Sequence, residues 1–328
     1  MQKTITITAA NRPALLQGML QSLVRNELDG WTIFVSIEPT SVAPDLVSIC
    51  KTTLAGHGCE IAINDKVLGI RDNPHNAISR VFAAGSALNL HLEEDLLVSP
   101  DVTALSSWYA EHHEPSWLCL NLLAGPCGSG ALLSDSRFPG ELFLARTFNS
   151  LGFAVRREEW QSLMAPSWFG AGVPELAGGS AANWRTNASG WDWAIYGLLA
   201  SRTDLFSVQP VLARATHTGA TGTHVTPEFQ NKVFGDLQIN TQLHETFALV
   251  DIGELRRDVR SLVYAHEEMT ELRLQLEQRA RVAGGALARL AEETRKRDNT
   301  PSALIRRVVS KLRRAIPYNR HDGDRAHP

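Results

Sequence analysis

Along the first hundred residues the period of apolar and polar positions changes several times. Residues 4–9 alternate, with Ile5, Ile7 and Ala9 against Thr4, Thr6 and Thr8, which predicts a strand. Asn11-Arg12-Pro13 ends that alternation. Leu15, Leu16, Met19, Leu20 and Leu23 then recur at helical spacing and predict a helix over 14–24. Residues 31–37 form a second apolar, β-branched run. Strand, helix and strand in that order make a βαβ unit, which implies a parallel sheet. The same reading gives a helix over 43–54, a strand near 60–64, a helix over 74–89 carried by Ile78, Val81, Phe82 and Leu88, and a short strand over 88–92. Between 116 and 176 the periodicity fades into expected short strands, Gly/Pro turns and a Trp-rich stretch. A helix over 182–199, a strand over 206–213 and a Gly/Thr/His-rich loop over 216–224 follow.

The pattern changes again after Phe247. From 251 to 298 there is no proline, and Ile252, Leu255, Val259, Leu262, His266 and Met269 advance in steps of three and four, as in a coiled coil. The phase slips at 272–276 and Gly284-Gly285 interrupts the run, so a helical hairpin or oligomerisation arm is expected rather than a long zipper. Thr300 can cap and Pro301 suits a first turn. A helix over 302–316 then carries an apolar stripe of Leu304, Ile305, Val308, Val309, Leu312, Ala315 and Ile316, with Arg306, Arg307, Lys311, Arg313 and Arg314 on its other face. The expected organisation is an α/β domain over 1–247, a helical coiled-coil arm over 251–298, a basic amphipathic helix over 301–317 and a disordered tail over 318–328.

Composition narrows the class. With 328 residues, 44 % hydrophobic and 20 % charged, the chain can bury one large core or two medium ones. Cys50, Cys59, Cys119 and Cys127 have no C-x₂-C spacing, which fits a reducing, cytoplasmic setting. No run approaches the roughly 20 apolar residues of a membrane span, and the start shows no secretion signal. The formal charge of −3 argues against a nucleic-acid binder. That total is uneven, because residues 299–320 carry six basic side chains and no acid, leaving −9 for the remainder.

The candidate chemistry sits at residues 90–101, Leu90-His91-Leu92-Glu93-Glu94-Asp95-Leu96-Leu97-Val98-Ser99-Pro100-Asp101. Three carboxylates straight after an apolar strand repel one another, and strand ends of open parallel sheets are where ligands sit. A hard cation, Mn²⁺ or Mg²⁺, would relieve that repulsion and share its remaining sites with phosphates. A solvated acidic turn is the plainer alternative. The run resembles the E-D-D or D-x-D element of GT-A-fold (Rossmann-like) glycosyltransferases that use nucleotide sugars. It is closest to the β-1,2-N-acetylglucosaminyltransferase branch of N-glycan and O-mannose type, where the strand end reads much like "hLEEDLxhxPD". The resemblance implies that Asp95 holds the metal, while Glu93 and Glu94 support the site and contact the nucleotide.

Other segments resemble the same family in the same order over about 1–245. Ala10-Asn11-Arg12-Pro13 resembles its "A-x-x-R-P", implying nucleotide contacts from Asn11 and Arg12. Val35-Ser36-Ile37-Glu38 resembles "VSQD", with Glu38 for the acid near the base, and Leu68-Gly69-Ile70-Arg71 implies that Arg71 approaches the nucleotide. Gly190-Trp191-Asp192-Trp193 reads by itself as an aromatic-flanked helix cap. Direct displacement, however, needs a base for the acceptor hydroxyl. The family's "W-D-W" helix start implies that Asp192 is that base and that Trp191 and Trp193 stack on acceptor sugars. Trp160, Trp168 and Trp184 are expected on the acceptor side, although each taken alone suits a core better than a binding site. Residues 214–224 resemble the loop that closes over the diphosphate. There Arg214 would balance charge, and His217 or His224 would complete the metal shell or hold the loop by hydrogen bonds.

These implications describe an inverting, metal-dependent hexosyl- or N-acetylhexosaminyltransferase of polysaccharide biosynthesis. It would move a sugar from a nucleoside-diphosphate sugar, a UDP-sugar first, to a glycan or lipid-linked glycan. The basic helix suits an anionic membrane surface, placing the chain peripherally on the inner face of the cytoplasmic membrane, and the arm suits a homo-oligomer. One rival is a catalytically degenerate scaffold of the same fold. The other is a nucleotidyltransferase, which would show a Gly-rich loop after the first strand; residues 9–13 contain no glycine.

Overall fold

The computed structural model describes residues 1–123, 139–170, 191–219 and 239–251, with single positions between 227 and 237 and between 253 and 311. The chain divides into two compact units, Met1–Arg260 and Ser261–Pro328. In the first unit the elements begin with β1 (Lys3–Ala9), α1 (Pro13–Leu23), β2 (Trp31–Ile37), α2 (Ala43–Thr53), β3 (Cys59–Ile63), α3 (Gly69–Ala83) and β4 (Leu88–Glu93). These four strands are parallel, in the order β3-β2-β1-β4.

Strand alternation sorts the side chains between two faces. Ile5, Ile7, Ile33, Val35, Ile37, Leu88, Leu90 and Leu92 enter one core with Leu16, Met19, Leu20 and Leu23 of α1 and Leu46 and Cys50 of α2. On the other face, Phe34 packs with Ala77 and Val81 of α3. Thr4, Thr6, Asn89 and His91, between the apolar positions of β1 and β4, form a buried polar ladder. The Thr4 hydroxyl donates to Asn89 Oδ1 (3.0 Å), Asn89 Nδ2 donates to Thr6 Oγ1 (2.9 Å), and Thr6 Oγ1 meets His91 Nδ1 (3.0 Å). With both faces covered, a parallel sheet is satisfied.

The chain continues through β5 (Leu96–Val98), α4 (Val102–Glu111), β6 (Trp117–Asn121), β7 (Glu141–Ala145), β8 (Phe153–Arg156), α5 (Trp191–Ser201), β9 (Phe206–Pro210), β10 (Ala215–His217) and β11 (Ala248–Leu249). Five of these strands extend the sheet to nine, in the order β4-β8-β6-β9-β7-β11, with β8 antiparallel to both β4 and β6. β5 and β10 form a separate antiparallel pair. A second core lies around Phe153, Trp160, Trp168, Trp191 and Ile195, with Ile78 and Phe82 of α3 packed into it.

Three features differ from the sequence expectation. α3 starts at Gly69 rather than Pro74, because the Glu38 carboxylate accepts the N–H groups of Leu68 (2.9 Å) and Gly69 (2.8 Å) and so caps the helix a turn earlier. It stops at Ala83, just before Gly85 takes φ +109°, instead of running to 89. Residues 216 and 217, at the start of the expected 216–224 loop, belong to the strand β10. Most of the expected arm over 251–298, the tail over 318–328, Trp184 and most of 301–317 lie outside the described residues. Among the described residues no helix is long and apolar enough to cross a membrane.

Candidate active site

The carboxyl ends of β1, β2 and β4 share one edge of the sheet, since Ala9 is level with Ile37 and Thr8 with Glu93. That register brings 10–12, Glu38 and 93–95 together. Glu94 is buried beneath the turn after β1: its Oε2 accepts the N–H of Ala10 (2.9 Å), and its Oε1 accepts Nε of Arg12 (2.7 Å). Arg12 Nη1 lies 2.7 Å from Asp95 Oδ2, so one guanidinium bridges two buried acids. His217 Nε2 is 2.8 Å from the same Asp95 oxygen. β5 and β10 deliver that histidine, because pairing Leu96 with His217 places 95 and 218 side by side. Thr218 then donates both its N–H (2.8 Å) and its hydroxyl (2.9 Å) to the Asp95 carbonyl. Gly219 closes over this corner; a Cβ there would stand 3.0 Å from His217 and 3.3 Å from Arg12.

Burial alone would raise the Asp95 pKa, but the hydrogen bond from His217 and the charge of Arg12 outweigh it and hold the carboxyl below its ordinary range. Burial also works against the Arg12 charge, yet Asp95 and Glu94 keep that pKa above its usual value. Glu93 behaves oppositely. Burial first and the Asp95 charge second push it up to about 8, and the Asp192 charge adds in the same direction. Asp192, in the first turn of α5, therefore lies within electrostatic reach of the acidic edge. Its Oδ1 accepts the N–H of Trp193 at 3.0 Å.

Asp95 Oδ1 is buried and has no hydrogen-bond partner among the described residues. A carboxylate oxygen of that kind is a donor that hard divalent cations take. Among the described residues no three His, Cys, Asp or Glu side chains come together as a preformed metal cluster. Asp95 Oδ1 fits a cation whose shell is completed by water and by a ligand's phosphate oxygens, as is usual for Mg²⁺, whereas His217 Nε2 is engaged on Asp95 Oδ2 and would join such a shell only by giving up that bond.

The remaining predicted residues divide. Asn11 is exposed at the same edge, between Ala10 and Arg12. Glu38 is buried and caps α3. Arg71 is half-buried, with its guanidinium 5.1 Å from the Phe169 ring. Trp193 is half-buried, whereas Trp191 is buried and stacked on Trp168 at 3.8 Å, so its ring belongs to the second core rather than to an open acceptor platform. Trp160 and Trp168 are core residues as well. Arg214 does not reach the acidic edge. It is fully buried, donates from Nε to Asp101 Oδ2 (3.0 Å) and from Nη1 to the Leu212 carbonyl (2.5 Å), and its Nη2 bonds the Pro139 carbonyl. Asn240 completes that pair from Nδ2 to Asp101 Oδ2 (2.9 Å). His224 lies outside the described residues. Thr218, Gly219 and Asp101 were not singled out for these roles from the sequence; alternation through Ala215, His217 and Gly219 is the signal that places 215–219 beside β5.

No protein-family model matches the chain, and no curated protein matches it. Solved structures with a similar chain path include the mannosyltransferase PcManGT from Pyrobaculum calidifontis in complex with GDP-Man and Mn²⁺. It is 14 % identical with TM-score 0.37, over 49 % of this chain and 46 % of that one. TarS 1–349 of S. aureus in complex with UDP-GlcNAc is 12 % identical with TM-score 0.36, over 49 % and 47 %. The apo-form glycosyltransferase GlyE of Streptococcus pneumoniae is 14 % identical with TM-score 0.35, over 63 % and 44 %. The chain thus spans less than half the length of each.

Proposed function

We propose that this chain is a glycosyltransferase that moves a sugar from a nucleoside-diphosphate sugar, a UDP-sugar first, to a hydroxyl of a glycan or lipid-linked glycan. One observation carries the reading. A buried carboxylate with an uncommitted oxygen, Asp95, stands at the carboxyl end of a central parallel strand, with a second acid, Asp192, within electrostatic reach of its neighbour Glu93. In an open parallel sheet that edge is the ligand site.

The roles follow from the chemistry of each group. Asp95 would hold Mn²⁺ or Mg²⁺ through Oδ1, His217 would join it by exchanging its bond to Asp95 for the cation, and a divalent cation there would neutralise charge on the departing diphosphate. Arg12, forked and partly exposed, suits a phosphate oxygen. Asp192 takes the acceptor proton as the hydroxyl attacks the anomeric carbon. The bond from that carbon to the diphosphate breaks, a glycosidic bond forms on the opposite face, and the nucleoside diphosphate leaves. The outcome is inversion, as the resemblance to β-1,2-N-acetylglucosaminyltransferases implies. Trp193 and Arg71 are assigned to the rim where the acceptor and nucleotide enter.

The test is turnover of a panel of nucleotide sugars by wild type and Asp192→Asn, with the thermal midpoint read in parallel. Loss of a general base lowers turnover by about 10²–10⁴-fold. UDP with Mn²⁺ should still raise the midpoint of the variant, because binding to the native state stabilises it whether or not the base is present. Wild-type turnover in Asp192→Asn overturns the assignment. We further assign residues 251–298 to self-association and 301–317 to an anionic membrane surface on the cytoplasmic side. Supporting this, Leu272, Leu276, Ile305 and Val309 are helical and exposed.

A further inference from the structure

Arg12 occupies an unusual position at the acidic edge. Its two forks lie 2.7 Å from Glu94 Oε1 and 2.7 Å from Asp95 Oδ2, and the two acid side chains are only 2 % and 4 % exposed while its own is 32 % exposed. The acids are fixed from the protein side. Glu94 accepts the Ala10 N–H (2.9 Å), and the Asp95 backbone is pinned by Thr218 (2.8 Å). The guanidinium, by contrast, is on the open side of the pair, where a ligand can reach it. Asp95 Oδ2 already accepts from Arg12 and His217, leaving Oδ1 as its buried oxygen without a partner.

We propose that Arg12 is an internal counter-cation of this site. It neutralises Glu94 and Asp95 before ligand arrives, competes with the divalent cation for Asp95, and is drawn off onto the diphosphate when the nucleotide binds. The inference rests on the metal-assisted reading above. Two cations on one carboxylate repel each other, and in a buried setting that repulsion is weakly screened. A diphosphate offers the guanidinium a bidentate anionic partner of equal quality, so moving there loses little. Nucleotide and metal then favour one another's binding, and the coupling is reciprocal.

Manganese binding by the full chain, followed through the electron paramagnetic resonance signal of free Mn²⁺, tests this without reference to turnover. Wild type, Arg12→Gln and Arg12→Lys are titrated with and without UDP. Wild type is expected to bind Mn²⁺ at least about tenfold more tightly with UDP than without it, a coupling of ordinary size. Without UDP, Arg12→Gln is expected to bind Mn²⁺ about tenfold more tightly than wild type. It should lose that gain when combined with Asp95→Asn, and should show Mn²⁺-dependent thermal stabilisation in the absence of nucleotide. Arg12→Lys keeps the charge without the fork and should lie between the two; it serves if Arg12→Gln does not fold. If UDP promotes Mn²⁺ binding to wild type but neither variant binds Mn²⁺ more tightly alone, the counter-cation role is overturned and the metal-assisted reading stands. If no chain binds Mn²⁺ even with UDP, that reading falls and this inference with it.

Discussion

Asp95 and Asp101 stand six residues apart, both buried and both facing an arginine, yet they have different duties. Each keeps one carboxylate oxygen, Oδ1, without a partner among the described residues, but Asp95 shares a partly exposed arginine, Arg12, with Glu94, on an edge a ligand can reach. Asp101 meets Arg214 with neither side chain exposed, and Asn240 adds a further donor. Burial raises the Asp101 pKa and lowers that of Arg214, so each charge survives through the other. Breaking such a pair leaves an uncompensated buried charge, at a cost of about 3–5 kcal/mol. Arg214→Met should therefore lower the free energy of urea unfolding by that amount, while Arg214→Met/Asp101→Leu should recover most of it. The nucleotide-induced thermal shift should persist in the double variant. A loss of nucleotide binding there, without loss of stability, would return Arg214 to the ligand site. The sequence places an arginine before a histidine-rich loop and so suggests a phosphate contact. The partner that claims it is 113 residues away, across the β5–β10 pair, and no local pattern records that distance.

Elements show the same division between local and long-range causes. β1, α1, β2 and α2 were legible because alternation and helical spacing are local, and each found its face of the sheet within a residue or two of expectation. The acidic edge was legible for the same reason, since Glu93, Glu94 and Asp95 directly follow an apolar strand. The start of α3 was not. Pro74 looks like a first-turn residue, but the carboxylate that nucleates the helix comes from Glu38, at the end of β2. β10 was not legible either, because three residues acquire strand geometry only by pairing with β5. The α3 cap makes a separate prediction. Glu38→Ala removes two charge-assisted acceptors from the helix start, which costs about 1–3 kcal/mol. Hydrogen exchange should show the loss confined to the first turn of α3 and the adjoining 64–68 loop, with α1 exchange unchanged. Equal deprotection throughout the sheet would show Glu38 acting on the whole domain instead.

For the whole molecule, two reserves of charge set the response to pH and to surfaces. His91 is fully buried on β4; its Nδ1 faces Thr6 Oγ1, and its Nε2 has no partner among the described residues. Burial lowers its pKa to about 3, so between the ordinary value near 6.5 and that value the unfolded chain binds a proton that the native protein refuses. The contribution is complete above about pH 6.5 and declines as pH falls, by about 1.4 kcal/mol per unit. The loss of stability between pH 6.5 and 4.5 in urea unfolding should be about 2 kcal/mol larger in wild type than in His91→Gln; parallel pH profiles would refute this. The second reserve is the basic segment, where residues 299–320 carry six basic side chains and no acid while the remainder stands at −9. Ile305 and Val309 are helical, four residues apart and therefore on one face, and 65 % and 44 % exposed. An apolar face beside clustered arginines suits an anionic bilayer, where each Lys or Arg near the surface contributes about 1 kcal/mol. The acidic remainder is repelled by the same surface, so binding should depend wholly on this segment and on salt. The full chain is expected to float with phosphatidylserine vesicles at low ionic strength and to be released by high salt, which contracts the Debye length to about 3 Å at 1 M. Removal of 299–328 should abolish flotation, and Ile305→Asp/Val309→Asp should weaken it with the charge intact. If the shortened chain floats as well as the full one, the attraction lies elsewhere and the basic segment is only a solvated helix.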